Sequence, residues 1–415
     1  MLNYKRLVMM RFFLFLIFVI NGYSQKTYFI SQSGDDLNTG TSVKSPWKTL
    51  KSFQQGNTYL FHANDTFYLN IPKIKIEDSL PATISSYGKG AKPLICGYRI
   101  ISPNMIFSSN FQNIWQVALN SNLLGGLKSD QNENVGFLII NGKIYGNKCK
   151  ALNLLKKEGD FYDEKGVLYI YALLKPNNKI YFACNGNIIT LSNNLTISNL
   201  RVEGSGSHGV QGVDVRNVRL KNLDINNIGG AYLKGFGNGF IRYGNGIEFW
   251  ESATNCSVEY CSIKNVYDAA FTAQGRSPLK VFSNIVFRNN NISYCEQAIE
   301  FWQEHCPDGF KKCSFSNNKS MYAGYGWSHD VRPDTSAGVH VLVYFPLLGK
   351  SDVKINDNSF TNGRTASLRL PVDFNKNNCL SLDNNSYYGN NDNFIYYNNG
   401  EIKSITDFKS TVSKE

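Results

Sequence analysis

From Leu195 onward the chain repeats itself. Seven segments superimpose: LTISNLRV, VRLKNLDI, CSVEYCSI, IVFRNNNI, CSFSNNKS, VKINDNSF and LSLDNNSY, beginning at Leu195, Val218, Cys256, Ile285, Cys313, Val353 and Leu380. In each, alternate residues are apolar, the mark of a β-strand with one face buried. The strand returns every 23 to 40 residues, and a strand that returns once per coil describes a solenoid of stacked strands. The fifth position of the segments is occupied by Asn199, Asn222, Tyr260, Asn289, Asn317, Asp357 and Asn384. At a tight bend Asn tolerates left-handed backbone angles, and its amide can bond the Asn one rung away. The pattern predicts an all-β chain, a parallel β-helix.

A second strand recurs in each coil: GVQGV from Gly209, GIEFW from Gly246, AFTAQ from Ala270, AIEFW from Ala298, GVHVL from Gly338 and ASLRL from Ala366. Alternation turns Val210, Ile247, Phe271, Ile299 and Val339 inward, so the residues between them face out. The first outward column then holds Gln211, Glu248, Thr272, Glu300 and His340, and the second Val213, Trp250, Gln274, Trp302 and Leu342. Indole rings offer broad apolar faces with a polar edge, which suits the C–H face of a sugar ring. Carboxylates and imidazole supply acid and base. Coverage by the inserted sheet or a loop is the alternative for the Trp pair, and simple solvation for the Glu pair.

The two longest coils carry loops into this strand, and solenoid insertions collect on the binding face. Residues 229–245 bring Lys234, Arg242 and Tyr243. Residues 322–338 bring Trp327, His329, Asp330, Arg332 and Asp334, while Arg276 and His305 leave the far ends of the same strands. Strands in a sheet lie about 4.8 Å apart, so Glu248 and Glu300, two rungs apart, are separated by about 9–10 Å at the backbone. Inverting glycosidases need roughly 6.5–9.5 Å between carboxyls and retaining ones about 5–5.5 Å. Asp268, at the start of the intervening rung, is available for the shorter spacing and equally suits a turn.

Around this core, the stretch from Gln25 to Ile100 is expected to form an N-terminal cap and the first coils, with an amphipathic, helix-like stretch from Trp47 to Phe53 over the open end. Residues 101–190 break the repeat and predict a small inserted antiparallel sheet. Residues 191–390 are the regular coils, and 391–415 a closing tail. Lys5, Arg6 and Arg11 precede an apolar run from Phe12 to Ile20, the pattern of a signal peptide spanning residues 1–24. The run is too short for a permanent membrane span. Of the formal charge of +11, this leader holds three positive and no negative side chains, leaving +8. A modest positive charge fits an acidic polymer and ordinary surface charge alike, while scattered basic residues speak against nucleic acid. The nine cysteines include no CxxC pair and no Cys/His cluster with zinc spacing. Cys256 and Cys313 fall on inward positions, and Cys295, Cys306 and Cys313 are close enough for one disulfide in an exported protein.

The opening YFISQSGDD…GT…SPWKTL, the segment GDFYDEKGVLYIY and the coils resemble exported bacterial right-handed parallel β-helix proteins acting on carbohydrates. The resemblance covers nearly the whole mature chain. It implies a right-handed solenoid with a small inserted β-sheet subdomain and the chemistry of glycoside hydrolases, polysaccharide lyases or uronan epimerases. One scaffold hosts several reactions. A hydrolase would use Glu248 and Glu300 as acid and base, with Trp250 and Trp302 as platforms and Gln274 and Trp327 on the substrate. A lyase would neutralise a uronate with Arg242, Arg276 or Arg332, and use His329, His340 or Tyr243 as base. A calcium ion held by the Glu pair would be its alternative, although no cofactor is required. The outward columns lack the Lys that several β-helix lyases use. A non-catalytic glycan-binding protein is the third reading. The hydrolase explains most of the outward face. The expected partner is a polysaccharide or oligosaccharide, the expected state a monomer, and the expected location the periplasm or the medium. N-terminal sequencing of the exported protein should begin at Gln25, and a mature protein that starts at Met1 would refute export by this leader.

Overall fold

The computed structural model describes residues 25–74, 80–119, 134–306, 308–333, 337–344, 350–371, 379–389, 392–397 and 399–407. The expected leader at 1–24 and Asp334 lie outside them. The chain winds into a solenoid with three parallel faces. The first face stacks Val210–Arg216, the start of Ile247–Glu259, Ala269–Gly275, Gln297–Gln303, Val339–Val343, Leu368–Leu370 and Ile395–Tyr397. The second stacks Leu195–Ser198, Arg219–Lys221, the end of Ile247–Glu259, Phe282–Arg288, Cys313–Ser316, Val353–Asn356 and Leu380–Ser381. The third runs in register from Thr66–Tyr68 through Arg201–Ser205 and Ser262–Val266 to Ser386–Tyr388. The repeated segments are therefore the second face, its corner and the third face.

The corner explains the Asn column. Asn199, Asn222, Tyr260, Asn289, Asn317, Asp357 and Asn384 all have φ between 55° and 58°. That is the left-handed region, where Asn is the least penalised residue after Gly. Asn222 Nδ2 bonds Asn199 Oδ1 at 2.7 Å. In the later coils the ladder moves one residue inward. The Nδ2 atoms of Asn290, Asn318 and Asn358 donate to Asn318, Asn358 and Asn385 at 2.9, 3.0 and 2.9 Å. Each amide also serves backbone groups of the turn, as Asn318 Nδ2 does at Phe287 O. A second corner repeats the device with Asn194, Asn217, Asn255 and Asn284, at φ of 55° or 56°.

The interior is a continuous apolar column in which Phe249, Phe271, Phe287, Phe301, Phe315 and Phe360 are fully buried. Cys256, Cys261, Cys295 and Cys313 fill gaps between the rungs, and all nine thiols are free. The spacing of Cys295, Cys306 and Cys313 that allowed a disulfide is thus unused, with Cys295 and Cys313 packed inward and Cys306 half-buried. Burial pushes the Cys295 thiol up to about 12. Among the described residues no helix is long and apolar enough to cross a membrane.

The stretch around Trp47 is not helical. Trp47 forms a parallel bridge with Ile30 and stacks on Tyr28 with ring centroids 4.2 Å apart. Leu50 and Phe53 pack against the core without helical geometry. Edge pairing and ring stacking outweigh the weak helical period of this short stretch.

Between Arg99 and Cys184 the chain leaves the solenoid and builds two antiparallel four-stranded sheets around Phe161, Leu168, Ile170 and Phe182. They rejoin the first face at Ile189–Thr190. The insert is fastened by polar groups. Lys148 Nζ pairs with Asp163 at 2.8 Å and lies 4.4 Å from the Tyr232 ring. Gly136 approaches the solenoid so closely that a Cβ there would lie 2.3 Å from Gly229 O.

Replacing Asn318 by Ala removes a buried amide that serves both neighbouring rungs. The expected loss is about 2–3 kcal/mol, from donors and acceptors left unpaired. Urea unfolding of Asn318→Ala beside an exposed strand control such as Asn291→Ala measures it, and equal losses in the two variants would refute the ladder's role.

Candidate functional site

The outer surface of the first face is the floor of a cleft of about 780 Å³. Parallel pairing places Gln211, Glu248, Thr272, Glu300, Leu342, Arg369 and Tyr396 in one column. A second column holds Val213, Trp250, Gln274 and Trp302. Leu233, Phe236 and Ile241 from one loop and Arg332 and Ala337 from another form walls.

Glu248 is almost fully enclosed, 2% exposed. Its Oε2 accepts from Gln211 Nε2 at 2.5 Å and from His208 Nε2 at 3.0 Å. Its Oε1 accepts from Gln274 Nε2 and from Asn245 Nδ2 at 3.3 Å. The Asn245 backbone N–H donates to His208 Nδ1 at 3.1 Å, which sets the tautomer with the proton on Nε2. Burial alone would raise the Glu248 carboxyl. His208, Gln211 and Gln274 outweigh it and hold the group below the usual carboxylate range.

Glu300, two rungs away, lies partly exposed on the same floor and has the opposite bias. Burial and then the neighbouring Asp268 push it up to about 8, against the pull of Arg332 and Arg369. Asp268 itself is paired with Arg332 Nη1 at 3.3 Å, and Arg332 also donates to Tyr267 O and lies 4.7 Å from the Tyr267 ring. Glu248 and Glu300 are thus driven apart in ionisation by their surroundings.

Trp250 and Trp302 face the cleft with centroids 6.0 Å apart and planes at 41°. Their rungs are separated by the Gln274 rung, so the rings lean toward each other across it. Arg276 lies 5.4 Å from the Trp302 ring and 4.7 Å from Phe236, and pairs with Glu304 at 3.0 Å.

Several expected site residues lie elsewhere. Val339 pairs with Gln297, not Ile299, so Leu342 and not His340 follows Glu300 in the column. His340 sits at the corner and points into the solenoid. It is fully buried, bonded to Ser320 Oγ at 2.7 Å and stacked on Phe360 at 5.2 Å. His329 is tied to the buried Glu296 at 3.0 Å outside the cleft lining, where Glu296 also accepts the Gly338 N–H. Trp327 packs between Phe137 and Tyr267 and donates to Asn265 O at 3.1 Å, locking the insert to the coils. Arg242 touches the cleft wall but is 2% exposed. Its guanidinium donates to Gly230 O, Gly146 O, Val331 O and Gly136 O. The cleft residues that the repeat did not reveal are His208, Asn245 and Arg369. His208 immediately precedes the first rung, and Arg369 stands in the recognised segment ASLRL, one rung beyond the point where the ladder was misaligned.

Among the described residues no group of three or more His, Cys, Asp or Glu is arranged to hold a metal ion. The chain matches the family model described as a right handed beta helix region over residues 175–344. No curated protein sequence matches it. Among solved structures it is similar to XylC in complex with xylose, at 10% identity and TM-score 0.54, covering 87% of this chain and 68% of that one. Lower similarity extends to a GH136 lacto-N-biosidase from Eubacterium ramulus (14% identity, TM-score 0.34, 89% and 68% coverage). It also extends to pectate lyase Pel9A (11% identity, TM-score 0.41, 92% and 80% coverage).

The buried His340 ring gives a test. Burial draws it from 6.5 to about 3, so between those values the unfolded state binds a proton that the folded state does not. Stability should therefore fall as pH drops from 6.5 toward 3. His340→Phe should flatten that limb in denaturant unfolding at several pH values, and an unchanged slope would refute the buried placement. Packing and register, with the match over residues 175–344, agree that the chain folds as a right-handed parallel β-helix.

Proposed function

We propose that the protein is an exported carbohydrate-active enzyme that hydrolyses glycosidic bonds, with Glu300 as the proton donor and Asp268 as the second carboxyl group beside it. The observation that carries this reading is the placement of Glu300 and Asp268 in one cleft, with Asp268 held by Arg332 at 3.3 Å; burial and Asp268 push the Glu300 carboxyl up to about 8. At neutral pH Glu300 keeps its proton and can deliver it to a leaving glycosidic oxygen, which is worth about 10²–10⁴ in rate. Asp268 supplies the second carboxyl that such cleavage requires. The adjoining Trp250 and Trp302 rings offer a stacking surface for a sugar. The fold alone does not select a reaction, so the reading rests on the cleft. The leader in residues 1–24 supports export.

A lyase is the second reading, favoured by the Arg332 and Arg369 side chains that line the cleft near Glu300 and would neutralise a uronate. A polysaccharide panel with product mass spectrometry separates the two, since hydrolysis adds water and elimination leaves an unsaturated sugar. Glu300→Gln and Asp268→Asn should each lower kcat by about 100-fold or more. The wild-type rate should decline as pH rises through about 8, where Glu300 loses its proton. Full activity in Glu300→Gln, or unsaturated products from the wild type, would refute the hydrolase.

A further inference from the structure

We infer that Glu248 is a positioning residue, and that it fixes Gln274 as the specificity-determining acceptor for a neutral, hydroxyl-bearing sugar unit lying on Trp250 and Trp302. This deepens, and rests on, the reading of the cleft as a glycan-cleaving site. The first reason is that Glu248 has no capacity left for chemistry. A carboxylate offers about four lone-pair sites. Gln211, His208, Gln274 and Asn245 direct one donor each to its two oxygens. At 2% exposure no lone pair remains to activate a water or to attack an anomeric carbon.

The second reason is that an ionised carboxylate only accepts. Gln274 must therefore turn its Nε2 toward Glu248, as it does, and its amide oxygen must face the other way. This removes the usual ambiguity between the two ends of a Gln amide. The Gln274 side chain is half-buried and lines the cleft, and its oxygen has no protein partner among the described residues. Gln211 differs. Its oxygen already accepts from Asn187 Nδ2 at 2.6 Å, so Gln274 is the glutamine with an acceptor to offer.

The third reason is position. Gln274 occupies the rung between Trp250 and Trp302, whose rings lean together at 6.0 Å. A sugar resting on both rings brings a hydroxyl within reach of the amide oxygen. A carbonyl oxygen welcomes a hydroxyl donor and repels a carboxylate. Arg276, 5.4 Å from the Trp302 ring, is already paired with Glu304 at 3.0 Å, so the unit at this position is a neutral sugar and a uronate is disfavoured there.

The test uses the full-length protein carrying Glu300→Gln, so that bound glycan is not turned over. Calorimetric titration with xylohexaose, cellohexaose and hexagalacturonate should show a neutral glycan binding at least about tenfold more tightly than the acidic one, the worth of one hydrogen bond. Adding Gln274→Ala or Glu248→Gln should weaken the neutral glycan about tenfold. Combining the two should weaken it no further, because both remove one interaction. In the Glu300 wild-type background the same changes should raise KM and leave kcat within about threefold. Preference for hexagalacturonate, additive losses, or no binding of any of the three would overturn the inference. So would a collapse of kcat at unchanged KM in Glu248→Gln, which would make Glu248 a reacting group. Gln274→Ala, at a half-exposed position, keeps the test decisive if the Glu248 variant fails to fold. If Glu300→Gln retained full turnover, the proton-donor assignment would fail, and competition between the glycans would still judge Gln274.

Discussion

Everything in this molecule depends on parallel backbone pairing held in register by its corners. A strand slipped by one residue would turn its buried face to solvent and its polar face to the core. The corners prevent that slip. Each coil bends at an L-residue near φ +55°, where Asn is tolerated and most residues are not. The buried amides of Asn290, Asn318 and Asn358 then bond from rung to rung. They anchor each coil to the next at fixed positions, and the first face inherits their register. Only then do Gln211, Glu248, Thr272 and Glu300 fall in one column.

Much of this was legible in the sequence because period-2 alternation and a recurring Asn are local signals with one structural meaning. Glu248, Glu300, Trp250, Trp302 and Gln274 follow from alternation alone and do line the cleft. His340 fails for a physical reason. Alternation describes a straight strand, and a residue at a corner can point inward whatever its parity. The long 322–338 loop also hides a two-residue offset, so Val339 meets Gln297. Arg242 and Trp327 fail differently. A loop rich in Arg and Trp suggests a binding wall, but no local pattern says that the inserted sheets will lie on that loop and take its guanidinium for their carbonyls. His208 was hidden because it stands one residue outside the repeating segment.

The least legible property is the ionisation of the two glutamates. Glu248 and Glu300 share residue type, face and column, and sequence offers no means of distinguishing them. Their surroundings differ in donors. Glu248 collects Gln211, His208, Gln274 and Asn245, which together overcome the penalty of burial. Glu300 has burial and Asp268 against it, and the charges of Arg332 and Arg369 do not compensate. The relevant quantity is therefore the number and direction of nearby dipoles and charges, not depth. It belongs to residues from five separate segments, 208–211, 245, 268–274, 332 and 369.

The insert completes the argument, because it determines where Arg332 can stand. Arg242, through its bonds to Gly136 O and Gly146 O of the insert and to Val331 O of the long loop, ties three segments distant in sequence into one unit. Val331 precedes Arg332, whose guanidinium reaches Asp268. A buried guanidinium is costly unless every donor is used, so this knot tolerates one arrangement of the three segments and few others. The charge that pairs with Asp268 is therefore placed by packing at the far side of the loop. The cleft's electrostatics are in this sense a consequence of the same close fit that makes Arg242 itself unavailable to a substrate.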